Sequence, residues 1–163
     1  MNAPQDHLHL HAHLRLPPNE VCADLARRLR RDTQGEVLFD AASRGRYATD
    51  ASLYQIQPVG VFVPRTDEDV ATALAVAREL KVPVLPRGGG TSQCGQTTGA
   101  ALVIDCSKHL RQVLAVDAAA RTATVQPGLV LDHLNAQLKQ DPRTKSLWYP
   151  VDVSTSAQAT LGG

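Results

Sequence analysis

The sequence contains Pro86-Arg87-Gly88-Gly89-Gly90-Thr91-Ser92-Gln93-Cys94-Gly95-Gln96 immediately after an apolar run, residues 82–85, that is typical of a short buried strand. Three consecutive glycines lose much backbone freedom on folding, yet without Cβ atoms their successive N–H groups can turn toward one anion. Two neighbouring hydroxyl groups, of Thr91 and Ser92, add donors at the same place. The composition of this segment predicts a loop that binds a pyrophosphate.

Two familiar glycine motifs do not fit this loop. A dinucleotide-binding fingerprint opens a helix, and a P-loop ends in Gly-Lys-Ser/Thr. Here no Lys follows the glycines, and the next apolar run, residues 100–104, is predicted to be a strand. The predicted order is therefore strand, glycine loop, strand. A tight connection without a ligand is the alternative, although turns seldom use three glycines together.

Length and composition limit the classes of protein. The chain has 163 residues, of which 43% are apolar and 20% charged, as expected for one globular domain. A net charge of +1 and an aromatic content of 4% argue against a nucleic-acid partner or an anionic membrane surface. We expect no membrane span, because no apolar run is long enough, and the N-terminus lacks the layout of a signal peptide.

The cysteines indicate reduced thiols. Cys22, Cys94 and Cys106 are odd in number and have no CxxC spacing, so we expect neither a disulfide framework nor a zinc site. This usage favours a cytoplasmic protein, with peripheral membrane association left open.

Residues 1–16 are predicted to form a flexible tail that contains alternating histidines. A transition-metal site in an extended tail is the less favoured alternative, and we expect no metal centre. The histidines are His7, His9, His11 and His13. The isolated His109 and His133 are interpreted as surface or packing residues.

Hydrophobic periodicity predicts the elements before the glycine loop. Residues 17–40 form an N-terminal helix and connector, whereas the polar segment 42–52 favours no regular structure. A strand at residues 59–63, a helix that begins with a capping box at Thr66, and the strand at residues 82–85 form a strand-helix-strand unit. Its two strands should run parallel with a right-handed crossover, which places the glycine loop at the carboxyl end of a strand, where open sheets bind ligands.

Shorter elements are predicted after the loop. Strands at residues 102–105, 113–116 and 122–126 are joined by short connections, which favours an antiparallel arrangement. The alternation in residues 122–126 predicts one dry and one wet face. A helix is expected from about residue 129 to residue 140. The hydroxyl-rich segment 148–163 is predicted to be a second donor loop.

Four motifs occur together in this order: Tyr47-Ala48-Thr49-Asp50, Pro86 through Ser92, Val125-Gln126-Pro127-Gly128, and Pro150 through Gly163. In content and approximate spacing they resemble the FAD-linked oxidases, and more narrowly the PCMH-type FAD-binding domain. The resemblance implies an α+β fold, in which a parallel strand-helix-strand subdomain precedes a mostly antiparallel α+β subdomain. It places this domain at residues 41–163 and implies that it is incomplete at the C-terminus.

The resemblance implies FAD as the cofactor. It assigns the pyrophosphate to the backbone amides of the first loop, and the flavin with the ribityl or adenine side to the second loop. The first set is Arg87, Gly88, Gly89, Gly90, Thr91, Ser92 and Gly95. The second set is Pro150, Asp152, Ser154, Thr155, Ser156, Thr160, Gly162 and Gly163. Members with a covalent flavin often have a histidine where Gly90 stands, so noncovalent FAD is expected.

The branch that this chain resembles oxidises D-2-hydroxyacids of the lactate, glycolate or 2-hydroxyglutarate type by hydride transfer to flavin N5. Family members continue past the Thr-Leu-Gly-Gly motif into the region that binds this small-molecule substrate, and some have an iron–sulfur electron-transfer domain or subunit. The chain alone is therefore expected to be inactive, with no catalytic residue. The alternatives are the flavin domain of a different reductase of the same fold and a non-catalytic module that holds ADP or phosphate.

Overall fold

The computed structural model describes residues 16–162, so the histidines of the predicted tail and Gly163 lie outside the described residues. The elements of the described part follow in chain order. They are α1 (Asn19–Asp32), β1 (Glu36–Leu38), α2 (Ala41–Arg46), β2 (Gly60–Val63), α3 (Asp67–Glu79), β3 (Val84–Arg87), β4 (Leu102–Asp105), β5 (Val113–Asp117), β6 (Thr122–Val125) and α4 (Leu131–Gln140). The short helix α2 forms in the polar segment for which the sequence favoured no regular structure.

A four-stranded sheet has the order β1-β2-β4-β3. Strands β2 and β3 both pair with β4 in parallel, and β1 pairs with β2 antiparallel. The predicted parallel orientation of β2 and β3 is confirmed. The predicted antiparallel arrangement of β4 is wrong, because this strand lies between β2 and β3 and pairs in parallel with both. All four of its residues are buried, as a central strand covered on both faces requires.

Helices α1 and α3 pack on this sheet and on each other. Their apolar stripes, which include Leu25, Leu29, Ala73 and Ala77, cover Phe62 of β2, and these five side chains are fully buried. The apolar spacing that predicted the two helices therefore marks the faces that form the core.

The predicted capping box at the start of α3 is confirmed in its first bond. Thr66 Oγ1 accepts a hydrogen bond from the Asp69 amide at 3.2 Å. The Asp69 carboxylate accepts from the amides of Arg65 and Gln34, each at 2.9 Å. Since Gln34 lies in the turn after α1, this buried carboxylate joins the two helices at one end of the sheet.

Strands β5 and β6 form a separate antiparallel pair, as predicted. The predicted dry face, Ala123 and Val125, is only partly covered within the described chain, because Val125 packs against Leu129, Leu134 and Leu138. Ala123 is exposed, and Leu114 and Val116 of β5 are 53% and 39% exposed. Alternation of polar and apolar residues marks a face, but only a covering layer makes that face dry.

No helix between residues 16 and 162 combines the length and the apolar character that crossing a bilayer requires.

Candidate functional site

The glycine loop leaves β3 at the carboxyl end of this strand, and the chain then returns to the amino end of the parallel strand β4. The loop and one residue of the C-terminal segment surround a cavity of about 410 Å³. The lining residues are Gly88, Gly89, Gly90, Thr91, Ser92, Gln93, Cys94, Gln96, Thr97 and Thr160. The chain therefore places most of the first predicted set around one cavity, at the position expected from the parallel strands.

The backbone amides of this loop are available to a ligand. Within residues 16–162, the N–H groups of residues 88–93 donate no hydrogen bond to another protein group. Two carbonyls at this loop, in contrast, are hydrogen-bonded to the protein. Arg87 O accepts from the Cys106 amide at 3.0 Å, and Gly90 O accepts from the Ala51 amide at 3.1 Å. Consecutive unpaired N–H groups around a cavity are suited to an anion such as a pyrophosphate.

Two glycines have backbone conformations that other residues adopt at a cost. Gly90 has a φ of +68° and Gly95 a φ of +75°. Gly95 does not line the cavity, and a Cβ atom there would lie 2.7 Å from the ring of Tyr54. The two glycines therefore shape the loop in different places, Gly90 at the cavity and Gly95 at its outer turn.

The second loop reaches the first at Gly89. A Cβ atom on Gly89 would collide with the carbonyl oxygen of Gln158. Hydrogen bonds to the start of α4 hold this part of the second loop in place, with Leu131 N donating to Ala159 O and Leu161 N to Leu129 O, both at 3.0 Å. These bonds bring Thr160 to the cavity.

The other predicted residues of the second loop, as far as Gly162, do not line the glycine cavity. Pro150 lines a different groove, of about 840 Å³, together with Trp148 and Tyr149. Asp152 and Ser154 are exposed. The remaining contacts stay within the protein: Ser156 Oγ lies 3.2 Å from Asp132 Oδ2, Thr155 O accepts from the amides at 158 and 159, and Gly162 N donates to Pro127 O. Among the described residues of this set, through Gly162, Thr160 alone lines the glycine cavity.

Sequence reasoning missed the segment that supports the loop. The guanidinium of Arg87 donates to the carbonyl oxygens of Tyr47, at 3.4 Å, and Thr97, at 3.2 Å, and lies 5.2 Å from the centre of the Tyr47 ring. The Tyr47 hydroxyl donates to Asp105 Oδ2 at 2.6 Å. Burial, and then this hydrogen bond, raise the pKa of Tyr47. The phenol therefore stays protonated and serves as a donor.

Asp50 supports the far end of the loop. Its Oδ2 accepts from Thr97 Oγ1 at 3.1 Å and from the Thr97 amide at 3.4 Å, and its Oδ1 accepts from the Ser52 amide at 2.9 Å. Desolvation, the largest single influence, opposes ionisation, but the hydrogen bonds from Ser52 and Thr97 together lower the pKa of Asp50 to about 2. The sequence signal was the motif at residues 47–50, which indicated the family but not this contact.

The remaining titratable residues do not assemble a second centre in the described part. Cys22, Cys94 and Cys106 are free thiols. His109 Nε2 lies 3.3 Å from Glu36, whose pKa is lowered by hydrogen bonds from Lys108 and then His109. Among residues 16–162 no three His, Cys, Asp or Glu side chains converge as metal ligands would.

Comparison with known proteins gives the class of protein. The family model described as "FAD binding domain" matches residues 58–163. The chain belongs to this family, and its cofactor is FAD. The loop fits that cofactor, because its open amides surround a cavity where a diphosphate can lie.

Two curated relatives are named proteins of defined function. The chain is 40% identical over 131 residues to glycolate oxidase subunit GlcD of Bacillus subtilis, covering 77% of this chain and 27% of that protein. It is 38% identical over 133 residues to D-2-hydroxyglutarate dehydrogenase of Pseudomonas putida, covering 80% of this chain and 13% of that protein. The chain therefore spans about a quarter or less of the length of these relatives.

Solved structures confirm the predicted α+β, PCMH-type fold. Alkyldihydroxyacetonephosphate synthase superposes with a TM-score of 0.71 at 22% identity, over 86% of this chain and 30% of that one. A structure of p-cresol methylhydroxylase superposes with a TM-score of 0.64 at 16% identity, over 77% of this chain and 26% of that one.

Proposed function

We propose that this chain is the FAD-binding portion of a flavin-dependent oxidoreductase that oxidises a D-2-hydroxyacid of the glycolate, lactate or 2-hydroxyglutarate type. The observation that carries the proposal is the row of open amides at residues 88–93, set at the carboxyl end of β3. The names of the two curated relatives favour the hydroxyacid substrate over the other reductases of this fold.

In this proposal the pyrophosphate lies against the amides of the glycine loop, with hydroxyl donors from Thr91 and Thr160 at the same cavity. The Ser92 hydroxyl donates instead to Gln96 Oε1 and accepts from the Gln96 amide at 3.1 Å, which closes the turn of the loop. FAD is held without a covalent bond. Gly90 has no side chain to form one, and a Cβ atom at this position would lie 2.7 Å from the Arg87 guanidinium. The described residues thus bind and orient the cofactor.

Bound FAD would supply the oxidising power, by accepting at N5 the hydride that leaves the substrate carbon. Residues 16–162 offer no His or carboxylate on the lining of the glycine cavity that could take the substrate proton. We therefore propose that substrate binding and proton removal belong to the further length that the curated relatives have. An iron–sulfur partner and the division of the chain at residue 41 stay predictions.

The experiment compares three ligands that share parts of FAD. FAD, ADP and riboflavin are titrated into the 163-residue chain and followed by flavin fluorescence or by displacement of FAD. We expect FAD to bind, ADP to compete because it contains the diphosphate, and riboflavin to bind more weakly because it does not. Turnover is measured with D-lactate, glycolate and D-2-hydroxyglutarate, and none is expected from this chain.

Two cysteines provide a probe of the cavity, Cys94, and a control, Cys106, within the same chain. Its exposed thiol lines the glycine cavity, whereas Cys106 is 8% exposed. FAD should slow alkylation of Cys94 and leave the reactivity of Cys106 unchanged. A colourless protein that binds ADP as tightly as FAD would favour the nucleotide-binding module instead. Oxidation of a hydroxyacid by this chain would refute the assignment of catalysis to the further length.

A further inference from the structure

Arg87 occupies an unusual position for a cation next to an anion site. It is the last residue of β3, but its side chain is absent from the lining of the glycine cavity and lines a neighbouring cavity of about 330 Å³. Within residues 16–162 no carboxylate oxygen lies within 4.0 Å of its guanidinium. Its partners are two carbonyl oxygens and the face of the Tyr47 ring.

These partners lie at separate places in the chain. The Tyr47 carbonyl belongs to the segment that follows α2, and the Thr97 carbonyl belongs to the return of the glycine loop toward β4. Between them, Gly90 lies against the guanidinium, since a Cβ atom there would be 2.7 Å from Nη2 of Arg87. The Arg87 side chain therefore lies beside Gly90, in the middle of the loop, and binds Thr97, near its end, without lining the glycine cavity.

The segment after α2 completes this support. The Ala51 amide donates to Gly90 O at 3.1 Å, and Asp50 accepts from both donors of Thr97. Arg87 consequently holds the loop at the Thr97 carbonyl, Ala51 at the Gly90 carbonyl and Asp50 at both donors of Thr97. The amides of residues 88–93 have no protein partner in the described chain.

We infer that Arg87 is a positioning residue, which fixes the glycine loop in the shape that presents its amides, and does not act as a counter-charge to the ligand. This inference rests on the proposed FAD site. Nη1 of Arg87 makes both hydrogen bonds, while Nη2 lies beside Gly90 and the planar group lies over the Tyr47 ring. The ammonium of Lys is a compact, strongly hydrated point charge that cannot make all of these contacts at once. Geometry and charge can therefore be separated by substitution.

The test compares Arg87→Lys and Arg87→Gln with a control, Arg46→Gln. Arg46 lines the neighbouring cavity and its Nη2 lies 3.2 Å from Ser43 Oγ, so the control removes a nearby charge without touching the loop carbonyls. We expect both Arg87 variants to lose FAD affinity about tenfold or more, as for the loss of one hydrogen-bonded anchor, and the control to keep it. If Arg87→Lys binds FAD as the wild type does, charge is sufficient and the inference is wrong.

Amide hydrogen exchange supplies a measurement that needs no FAD. The Ala51 and Thr97 amides should exchange faster in both Arg87 variants, and the amides of β4 should exchange at the wild-type rate, which also shows that the variants fold. Unchanged exchange at Ala51 and Thr97 would overturn the inference. If the wild-type chain fails to bind FAD while this exchange pattern is found, the proposed function fails and the positioning role stands.

A measurement on the unaltered chain covers the case in which neither Arg87 variant folds. The Arg87 guanidinium is held by two carbonyls, whereas the Arg46 side chain is exposed. By NMR, rotation about the Arg87 Nε–Cζ bond should be slow relative to that of Arg46. Equally fast rotation in the two side chains would overturn the positioning role.

Discussion

A Cβ atom on Gly89 would collide with the carbonyl oxygen of Gln158. The two predicted ligand loops meet at this residue, so the close approach of two backbones depends on the missing side chain. Asp50 acts at the same scale from the other side of the loop, where its carboxylate accepts both donors of Thr97. Single groups therefore fix where the open amides lie.

Substitution Gly89→Ala should separate the loops. The added methyl group meets backbone, which cannot rotate away, so we expect FAD affinity to fall by about tenfold or more. The control is Gly45→Ala, since no atom lies within 4 Å of a Cβ atom on this glycine in α2. It should keep wild-type FAD affinity and gain about 0.5 to 1 kcal/mol in unfolding free energy. Equal affinity in the two variants would contradict the contact between the loops.

Substitution Asp50→Asn should change the acid stability of the chain. The folded-state pKa of Asp50, about 2, lies below its ordinary value. Its contribution to stability is therefore complete above about pH 4 and is lost as the pH falls through about 2. We expect the variant to be less stable than the wild type by about 2 kcal/mol at neutral pH. In chemical denaturation this difference should shrink as the pH falls toward 2 and vanish below it, and a pH-independent difference would argue against an ionised Asp50.

At the scale of elements, helix α3 and strand β4 decide where the loop stands. The cap of α3 fixes the crossover between β2 and β3, and β4 enters the gap between these two strands. The register pairs Arg87 with Asp105, the last residues of β3 and β4. The start of the glycine loop and the Tyr47–Asp105 hydrogen bond therefore lie together at the carboxyl ends of β3 and β4.

Removal of the α3 cap by Thr66→Ala should cost about 1 kcal/mol of unfolding free energy, because the Asp69 amide loses its side-chain acceptor. Thr72→Ala inside the same helix is the matched control and should be neutral or slightly stabilising, since alanine has the higher helix propensity. Thermal or denaturant unfolding measures both. A loss in Thr72→Ala as large as that in Thr66→Ala would show that the cap has no specific role.

At the scale of the molecule, the sheet with α1 and α3 has a buried core, whereas the β5–β6 pair exposes apolar side chains. Trp148, which lines the 840 Å³ groove beside this pair, is 66% exposed. The glycine cavity lies between the sheet and the segment that α4 anchors. A ligand held there contacts both parts and should stabilise the fold.

FAD should raise the unfolding free energy of the chain. At 100 times its dissociation constant, a ligand that binds only the folded state adds about 2.7 kcal/mol. Riboflavin at the same concentration should add less, because it lacks the diphosphate that the loop amides are proposed to bind. Denaturant unfolding with each ligand measures the difference. Equal stabilisation by FAD and riboflavin would move the principal contact away from the glycine loop.

The sequence alone predicted three of the four helices, the strands from β2 onward and the glycine loop between β3 and β4, because periodicity, caps and turn residues act over a few positions. Strand β1 and helix α2 were not predicted. Its motifs also indicated the family before the comparisons confirmed it. It did not predict the exposure of apolar residues on the β5–β6 pair.

The tertiary structure decided the pairing of β4 between β2 and β3, the meeting of Gly89 with the second loop, and the support of the glycine loop by Arg87 and Asp50. Each of these joins residues far apart in the chain. Local patterns specify which backbone groups need partners, but the partners themselves are fixed only when the sheet assembles.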